Sequence, residues 1–112
     1  MSDSVQGDAE PIVSCSLQNG ILSVYETHVT IERKSRSNYD DKRIDMGDIY
    51  DVEFTPGIMT GHLQIKQRGI EPATGGVFTH PVDENTLYFP RLDRACARDA
   101  RDAILERMGE DR

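Results

Sequence analysis

The sequence predicts a mainly β domain that ends in one α-helix, and three observations support this prediction. Apolar and polar residues alternate with a period of two in short runs between residues 12 and 89. The turn-forming dipeptides Asn19-Gly20 and Pro56-Gly57 separate several of these runs. After Pro90 the apolar spacing changes to that of an amphipathic helix.

A chain of 112 residues has room for one domain. Residues 1–10 are acidic and aperiodic, which is typical of a flexible tail, and we assign residues 11–109 to the domain. Its first element is a predicted hairpin, because the apolar runs at 12–17 and 21–26 meet at Asn19-Gly20, a pair that readily adopts positive φ angles. A third strand is predicted at 27–34.

Further strands are predicted wherever the alternation returns, at 43–46, 49–55, 62–67, 77–79 and 86–89. In the second of these we expect Tyr50, Val52 and Phe54 to share the buried face. The inward positions of the later strands are expected at Leu63, Ile65, Leu87 and Phe89. About seven strands in this order predict a bent antiparallel barrel that the terminal helix caps.

The C-terminal helix is predicted over about residues 91–108. Its apolar stripe falls at helical spacings: Leu92, Cys96, Ala100, Ala103, Ile104 and Met108. Small residues at the centre of the stripe allow close approach to a sheet, so we expect the helix to pack on its own domain. Association with another chain through the same stripe is the alternative.

Composition narrows the possible partners. The formal net charge is -7, which disfavours nucleic acid, and no apolar stretch reaches the length of an integral membrane span. Few of the basic residues are lysines, so the acidic, lysine-poor surface resembles that of proteins from salt-loving archaea, with an ordinary acidic protein as the alternative. Two cysteines, Cys15 and Cys96, make neither a disulfide framework nor a metal motif, which predicts a reduced, cytoplasmic setting.

Several stretches carry a family resemblance. The segments 48–57 (DIYDVEFTPG), 61–65 (GHLQI), 75–78 (GGVF) and 83–89 (DENTLYF) resemble the pleckstrin-homology-like domains of bacterial and archaeal proteins of unknown function. The resemblance covers roughly residues 20–108. It implies a seven-stranded bent barrel with a capping helix, and it implies no activity, because the matching motifs carry no chemistry.

No residue pattern predicts catalysis, a cofactor or a metal. His28, His62 and His80 lie on different predicted elements without paired spacing. Cys96 is expected to pack on the helical stripe as a thiol, and Cys15 lies on a predicted edge strand without a recognisable partner. We therefore expect a protein that is not an enzyme.

Two loops are candidate contact sites. Basic side chains flank the loop between the third and fourth strands and would suit an anion: Arg33, Lys34, Arg36, Lys42 and Arg43. Asp40 and Asp41 lie within this cluster, and pairing across the hairpin would neutralise it. In the 56–61 loop, Ile58 and Met59 either form an exposed apolar tip for a partner or fold back over the barrel end.

These features predict a non-catalytic binding or scaffolding module that acts through protein contacts, including association with its own copies. The alternative is a peripheral module that recognises an anionic ligand, a phosphorylated group or a lipid headgroup, through the basic loop 33–43.

Overall fold

The computed structural model describes residues 10–34, 37–75 and 80–108. Within these ranges the chain forms seven strands, two short 3-10 turns and one α-helix. The strands are β1 (Val13–Leu17), β2 (Gly20–Val24), β3 (His28–Glu32), β4 (Lys42–Asp45), β5 (Ile49–Thr55), β6 (Thr60–Gln67) and β7 (Thr86–Pro90). The 3-10 turns cover Met46–Asp48 and Arg91–Asp93, and α1 covers Arg94–Met108.

The strands form two antiparallel sheets. The four-stranded sheet has the order β1-β2-β3-β4, and the three-stranded sheet has the order β5-β6-β7. This arrangement confirms the predicted mainly β class with a C-terminal helix. The two sheets do not merge into a closed barrel within the described residues, so the pleckstrin-homology-like barrel is not confirmed.

The core lies between the two sheets and α1. Its largest fully buried side chains come from both sheets and the helix: Leu22, Ile31, Ile44, Leu63, Ile65, Leu87, Phe89 and Ile104. The buried face of α1 is built from Ala97, Ala100, Ala103 and Ile104. These small residues let α1 pack closely on β1 and β5, as the sequence predicts.

The first hairpin is confirmed, but the conformation of its turn differs from the prediction. Leu17 pairs with Gly20, so Gln18 and Asn19 form the two-residue loop and Gly20 already belongs to β2. Within the described residues, positive φ angles occur at Gly57 and Gly69 and at no residue of this turn. Gly20 is needed for another reason, because a Cβ there would lie 2.8 Å from the Glu32 carbonyl oxygen.

The turn of this hairpin also joins the two sheets. The Gln18 amide donates to the Tyr88 carbonyl oxygen over 2.9 Å. The side chain of Asn19 completes the contact, because its Nδ2 donates to the Thr86 carbonyl oxygen and its Oδ1 accepts from the Tyr88 amide. An asparagine amide here takes the place of a strand partner along the edge of β7.

Two predicted burial patterns are wrong. Leu92 is 93% exposed, because residues 91–93 form a 3-10 turn and the regular helix begins at Arg94. Tyr50 is 43% exposed, because the register of β5 against β6 shifts between Ile49 and Asp51. This irregularity buries Ile49 in place of Tyr50 and returns Val52 to the core.

The prediction of two free thiols is also wrong. Cys15 on β1 and Cys96 on α1 form a disulfide across a sequence separation of 81 residues. The periodicity of each segment indicates where its own cysteine lies but not that the helix returns to the first strand. The disulfide removes the basis on which the cysteines predicted a reduced setting.

Two predictions concern residues that the structure does not describe. Most of the predicted tail, at residues 1–9, and the predicted strand at 77–79 lie outside the described residues. The part of the chain that the structure describes contains no helix long and apolar enough to cross a membrane.

Candidate functional site

Two basic side chains of the 33–43 loop, Arg33 and Lys42, are engaged within the fold. Arg33 donates from Nη1 to the Asn19 carbonyl oxygen over 3.1 Å and from Nη2 to the Glu84 carbonyl oxygen over 2.7 Å. Its guanidinium also lies 5.3 Å from the ring centroid of Tyr39. Arg33 therefore links the first hairpin to the start of β7.

Lys42 makes more internal hydrogen bonds than Arg33. Its Nζ donates to Gln67 Oε1, Glu84 Oε1 and Asn85 Oδ1 over 2.8 to 2.9 Å, which uses the three protons of an ammonium group. Only 16% of the side chain is exposed. Lys42 thus joins the two sheets instead of facing a ligand.

The remaining predicted cations differ from one another. Arg43 pairs with Asp45 over 3.1 Å, and Asp41 accepts from the Arg33 amide. Lys34 is exposed, and Arg36 lies outside the described residues. Two clefts of about 310 and 450 Å³ open beside this loop and share the lining residues Arg33, Lys34, Ser37 and Tyr39.

The 56–61 loop forms an exposed apolar tip. Ile58 is 82% exposed and Met59 is 79% exposed, so neither side chain folds back over the sheets. Thr60 pairs with Pro90, and the exposed Leu92 follows Pro90 in the next 3-10 turn. We call Ile58, Met59 and Leu92 the apolar tip.

The backbone beneath the apolar tip is tightly built. Gly57 has a φ of 67°, and a Cβ at this position would collide with the Thr60 carbonyl group. The guanidinium of Arg94, in the first turn of α1, donates from Nη2 to the Gly57 carbonyl oxygen over 3.1 Å. The Arg94 hydrogen bond thus holds the 56–61 loop at Gly57, while Ile58 and Met59 stay in solvent.

A second cluster, which the sequence does not predict, lies on the outer face of the three-stranded sheet. His62 and Gln64 point away from the core, yet both are buried, because the segment between β6 and β7 covers them. We call residues 68–85 the connection; the structure describes them at 68–75 and 80–85.

Asp83 anchors the connection. Its Oδ1 accepts from Thr86 Oγ1 and the Asn85 amide, and its Oδ2 accepts from Gln64 Nε2 and the Ala73 amide. Burial alone would raise the pKa of this carboxyl group. The four hydrogen bonds outweigh burial and lower the pKa below its ordinary value of 3.8.

Two histidines meet at the same face. His62 Nδ1 lies 2.6 Å from His80 Nδ1, and the Nε2 of His62 lies 3.5 Å from Glu53 Oε2 on the other side of the ring. Burial lowers the pKa of His62 and the neighbouring His80 lowers it further, whereas Glu53 acts in the opposite direction. Period-two spacing on β6 places His62 outward but cannot show that a distant segment brings His80 to it.

Glu53, Gln64 and Lys66 also line a small polar pocket of about 230 Å³ beside the connection. Within the described residues no group of three or more His, Cys, Asp or Glu side chains converges as metal ligands would. Comparison of the chain with family models, curated proteins and solved structures finds no match.

Proposed function

We propose that the protein is a non-catalytic binding module that acts through protein contacts, including weak contacts between its own copies. The observation that carries this proposal is the apolar tip, in which Ile58 and Met59 project from a turn whose Gly57 carbonyl is held by Arg94, and Leu92 is exposed in the 3-10 turn after β7. Tight turns usually carry polar residues, so a rigid turn that presents isoleucine and methionine to solvent favours a binding role.

The dimensions of the tip favour a weak contact. Stable interfaces bury about 800 Å² on each partner, considerably more than three side chains supply. A braced tip loses little conformational entropy when it binds, which partly offsets its small area. The net charge of -7 also opposes contacts between copies at low salt. We therefore expect self-association that grows with concentration and with salt.

A pleckstrin-homology-like arrangement remains part of this proposal. Two sheets of four and three strands with a C-terminal helix on the core support it, as does the close approach of the first hairpin to β7. Such scaffolds commonly act by presenting loops.

Sedimentation velocity tests the proposal. The weight-average mass of the wild type is expected to rise between about 10 and 500 μM protein, more so in 2 M than in 0.1 M KCl. The variant Ile58→Ser/Met59→Ser should stay monomeric. Val82→Ser is the matched control, because Val82 is an apolar side chain 66% exposed outside the tip. A wild type that stays monomeric throughout, or a double variant that associates equally well, would contradict the proposal.

The second candidate is recognition of an anionic ligand at the basic loop. The two adjoining clefts beside exposed Lys34 favour it, while the internal engagement of Arg33 and Lys42 leaves fewer cations for a ligand. Titration with inorganic phosphate and with vesicles containing anionic lipid would separate a free anion from a membrane headgroup. Lys34→Glu should abolish binding and Arg68→Glu, an exposed change elsewhere, should not.

A further inference from the structure

The sulfur atoms of the chain differ in their exposure. The chain has two cysteines and four methionines. Both cysteines are joined in the disulfide, which leaves the chain without a free thiol. Of the methionines that the structure describes, Met46 is buried in the core and Met108 is partly buried against it, whereas Met59 is 79% exposed. Met1 lies outside the described residues.

This distribution directs oxidation to Met59. Peroxides oxidise cysteine thiolates and methionine thioethers, and solvent access to the sulfur decides which residue reacts first. A free thiolate would compete for the oxidant, but the disulfide holds both cysteines. The core shields the sulfur of Met46. We therefore expect Met59 to react before the other methionines that the structure describes.

The backbone around Met59 is fixed on either side of this exposed thioether. The carbonyl oxygen of Gly57, which precedes Met59 in the loop, accepts from Arg94 over 3.1 Å. Thr60 follows Met59 directly and pairs with Pro90 at the start of β6. The side chain that a binding partner would meet is therefore the same side chain that an oxidant in solvent would meet.

Oxidation would change the polarity of the apolar tip without adding a charge. A peroxide transfers one oxygen atom to the thioether sulfur of Met59. The peroxide O–O bond breaks, an S–O bond forms, and the peroxide leaves as water or an alcohol, so the sulfur is oxidised and the peroxide is reduced. The sulfoxide oxygen accepts hydrogen bonds, and an apolar contact would bury it without a donor, which is unfavourable.

We propose that Met59 is a reversible oxidation site that controls the contact made by the apolar tip, with a peroxide as the oxidising substrate. The thioether supports the contact and the sulfoxide prevents it. This control rests on the function proposed for the tip, whereas the selective reaction at Met59 rests only on the exposure of its sulfur. A methionine sulfoxide reductase would restore the thioether and with it the contact.

Peptide mapping by mass spectrometry tests the oxidation site. Wild-type protein is treated with dilute hydrogen peroxide at neutral pH and sampled over time. The sulfoxide should form at Met59 at least about tenfold faster than at the buried Met46, and also faster than at the partly buried Met108. Equal rates at these three residues would overturn the assignment of the site.

Sedimentation velocity before and after oxidation tests the control of the contact. In 2 M KCl, where association is expected to be strongest, oxidation should raise the dissociation constant between copies by at least about tenfold. Repair by methionine sulfoxide reductase, followed by return to the same buffer, should restore the original value. The melting temperature should change little on oxidation, because Met59 is largely exposed.

Three variants separate the thioether of Met59 from the rest of the molecule. Met59→Leu keeps an apolar side chain without an oxidisable sulfur, so it should associate equally with and without peroxide. Met59→Gln carries a polar side chain and should stay monomeric without peroxide. Met108→Leu is the matched control, because it removes a methionine outside the tip, and it should respond to peroxide as the wild type does.

The negative results are distinguishable. Equal association of the wild type before and after complete oxidation of Met59 would overturn the control but leave the proposed function standing, as would an equal loss of association in Met59→Leu. An unoxidised wild type that stays monomeric at every concentration would overturn the proposed function and the control together. The peptide map would decide the oxidation site in either case.

Discussion

Asp83 shows how one side chain can fix a long irregular segment. Its carboxylate accepts from two backbone amides, one hydroxyl group and one buried amide side chain, and so ties the connection to both β6 and β7. A carboxylate suits this position because it only accepts, and four donors converge on it. Removing it leaves buried donors without partners, which costs more than the hydrogen bonds themselves contribute.

Asp83→Ala is therefore expected to lower the free energy of unfolding by about 1–3 kcal/mol. The control Asp99→Ala, at an exposed position on α1, should stay within about 0.5 kcal/mol of the wild type. Urea unfolding at pH 7 measures both. Because the pKa of Asp83 is lowered, its contribution should be lost progressively as the pH falls below 3.8. Equal stability of the two variants at pH 7 would contradict the assigned anchor.

Asn19 plays a similar part between the sheets. Asn19→Ala removes the donor to Thr86 and the acceptor of the Tyr88 amide, and we expect a loss of about 1–2 kcal/mol. Asn38→Ala, at an exposed position in the next loop, is the matched control. The same urea experiment decides the point, and a loss below about 0.5 kcal/mol for Asn19→Ala would mean that water replaces the amide.

Among the larger elements, α1 depends on small residues and on its disulfide. The buried face is mostly alanine, which brings the helix close to the sheets but buries little apolar area in each side chain. The link from Cys96 to Cys15 compensates for this, because it holds the last element against the first strand. A disulfide that closes so long a loop restricts the unfolded chain strongly.

Reduction should lower stability by about 2–4 kcal/mol. Thermal unfolding with and without a phosphine reductant measures this change, and the melting temperature should drop by several degrees. Cys15→Ser/Cys96→Ser is the control and should melt at the lower temperature under both conditions. If the melting temperature of the wild type were the same with and without the reductant, the two sulfurs would not be joined.

The close packing of α1 can be tested by enlarging one alanine. Ala100→Leu should destabilise by about 1–3 kcal/mol, because the position is fully buried between the helix and the sheets. Ala95→Leu adds the same atoms on the exposed side of the same helix and should be nearly neutral. If both variants were equally stable, the helix would not be seated as described.

The sequence predicted the elements more completely than their contacts. Alternating residues located β1 to β7, and the change of period located the helix to within three residues of its start. The sequence did not predict the bulge at Tyr50, because a one-residue shift in strand pairing leaves the alternation of apolar and polar residues almost unchanged. The disulfide and the contact between His62 and His80 were not predicted for a common reason. Each joins segments that come together only when the sheets fold, and local residue spacing does not show this.

For the 56–61 loop, the sequence predicted two alternatives, an exposed apolar tip or a loop folded back over the sheets. The structure has the first, with Ile58 and Met59 exposed. The sequence also grouped five basic residues by their position in the chain. Of the four that the structure describes, Arg33 and Lys42 reach acceptors on distant segments. Long basic side chains turn inward where buried carbonyl and carboxylate oxygens need donors, and a one-dimensional cluster does not reveal this.

For the molecule as a whole, the net charge of -7 predicts a dependence on salt. The melting temperature should rise as KCl increases from 0.05 to 2 M, because molar salt reduces the Debye length to about 3 Å and screens repulsion among surface carboxylates. Differential scanning calorimetry measures the rise. A flat response would contradict the interpretation of the lysine-poor, acidic surface as an adaptation to salt.

The two sheets and α1 share one interior. Native-state hydrogen exchange of the oxidised protein tests this shared interior, because elements that share a core open together. We predict that the slowest amides of β3, β6 and α1 exchange with one common free energy of opening. Rapid exchange throughout α1 while both sheets stay protected would contradict the claim.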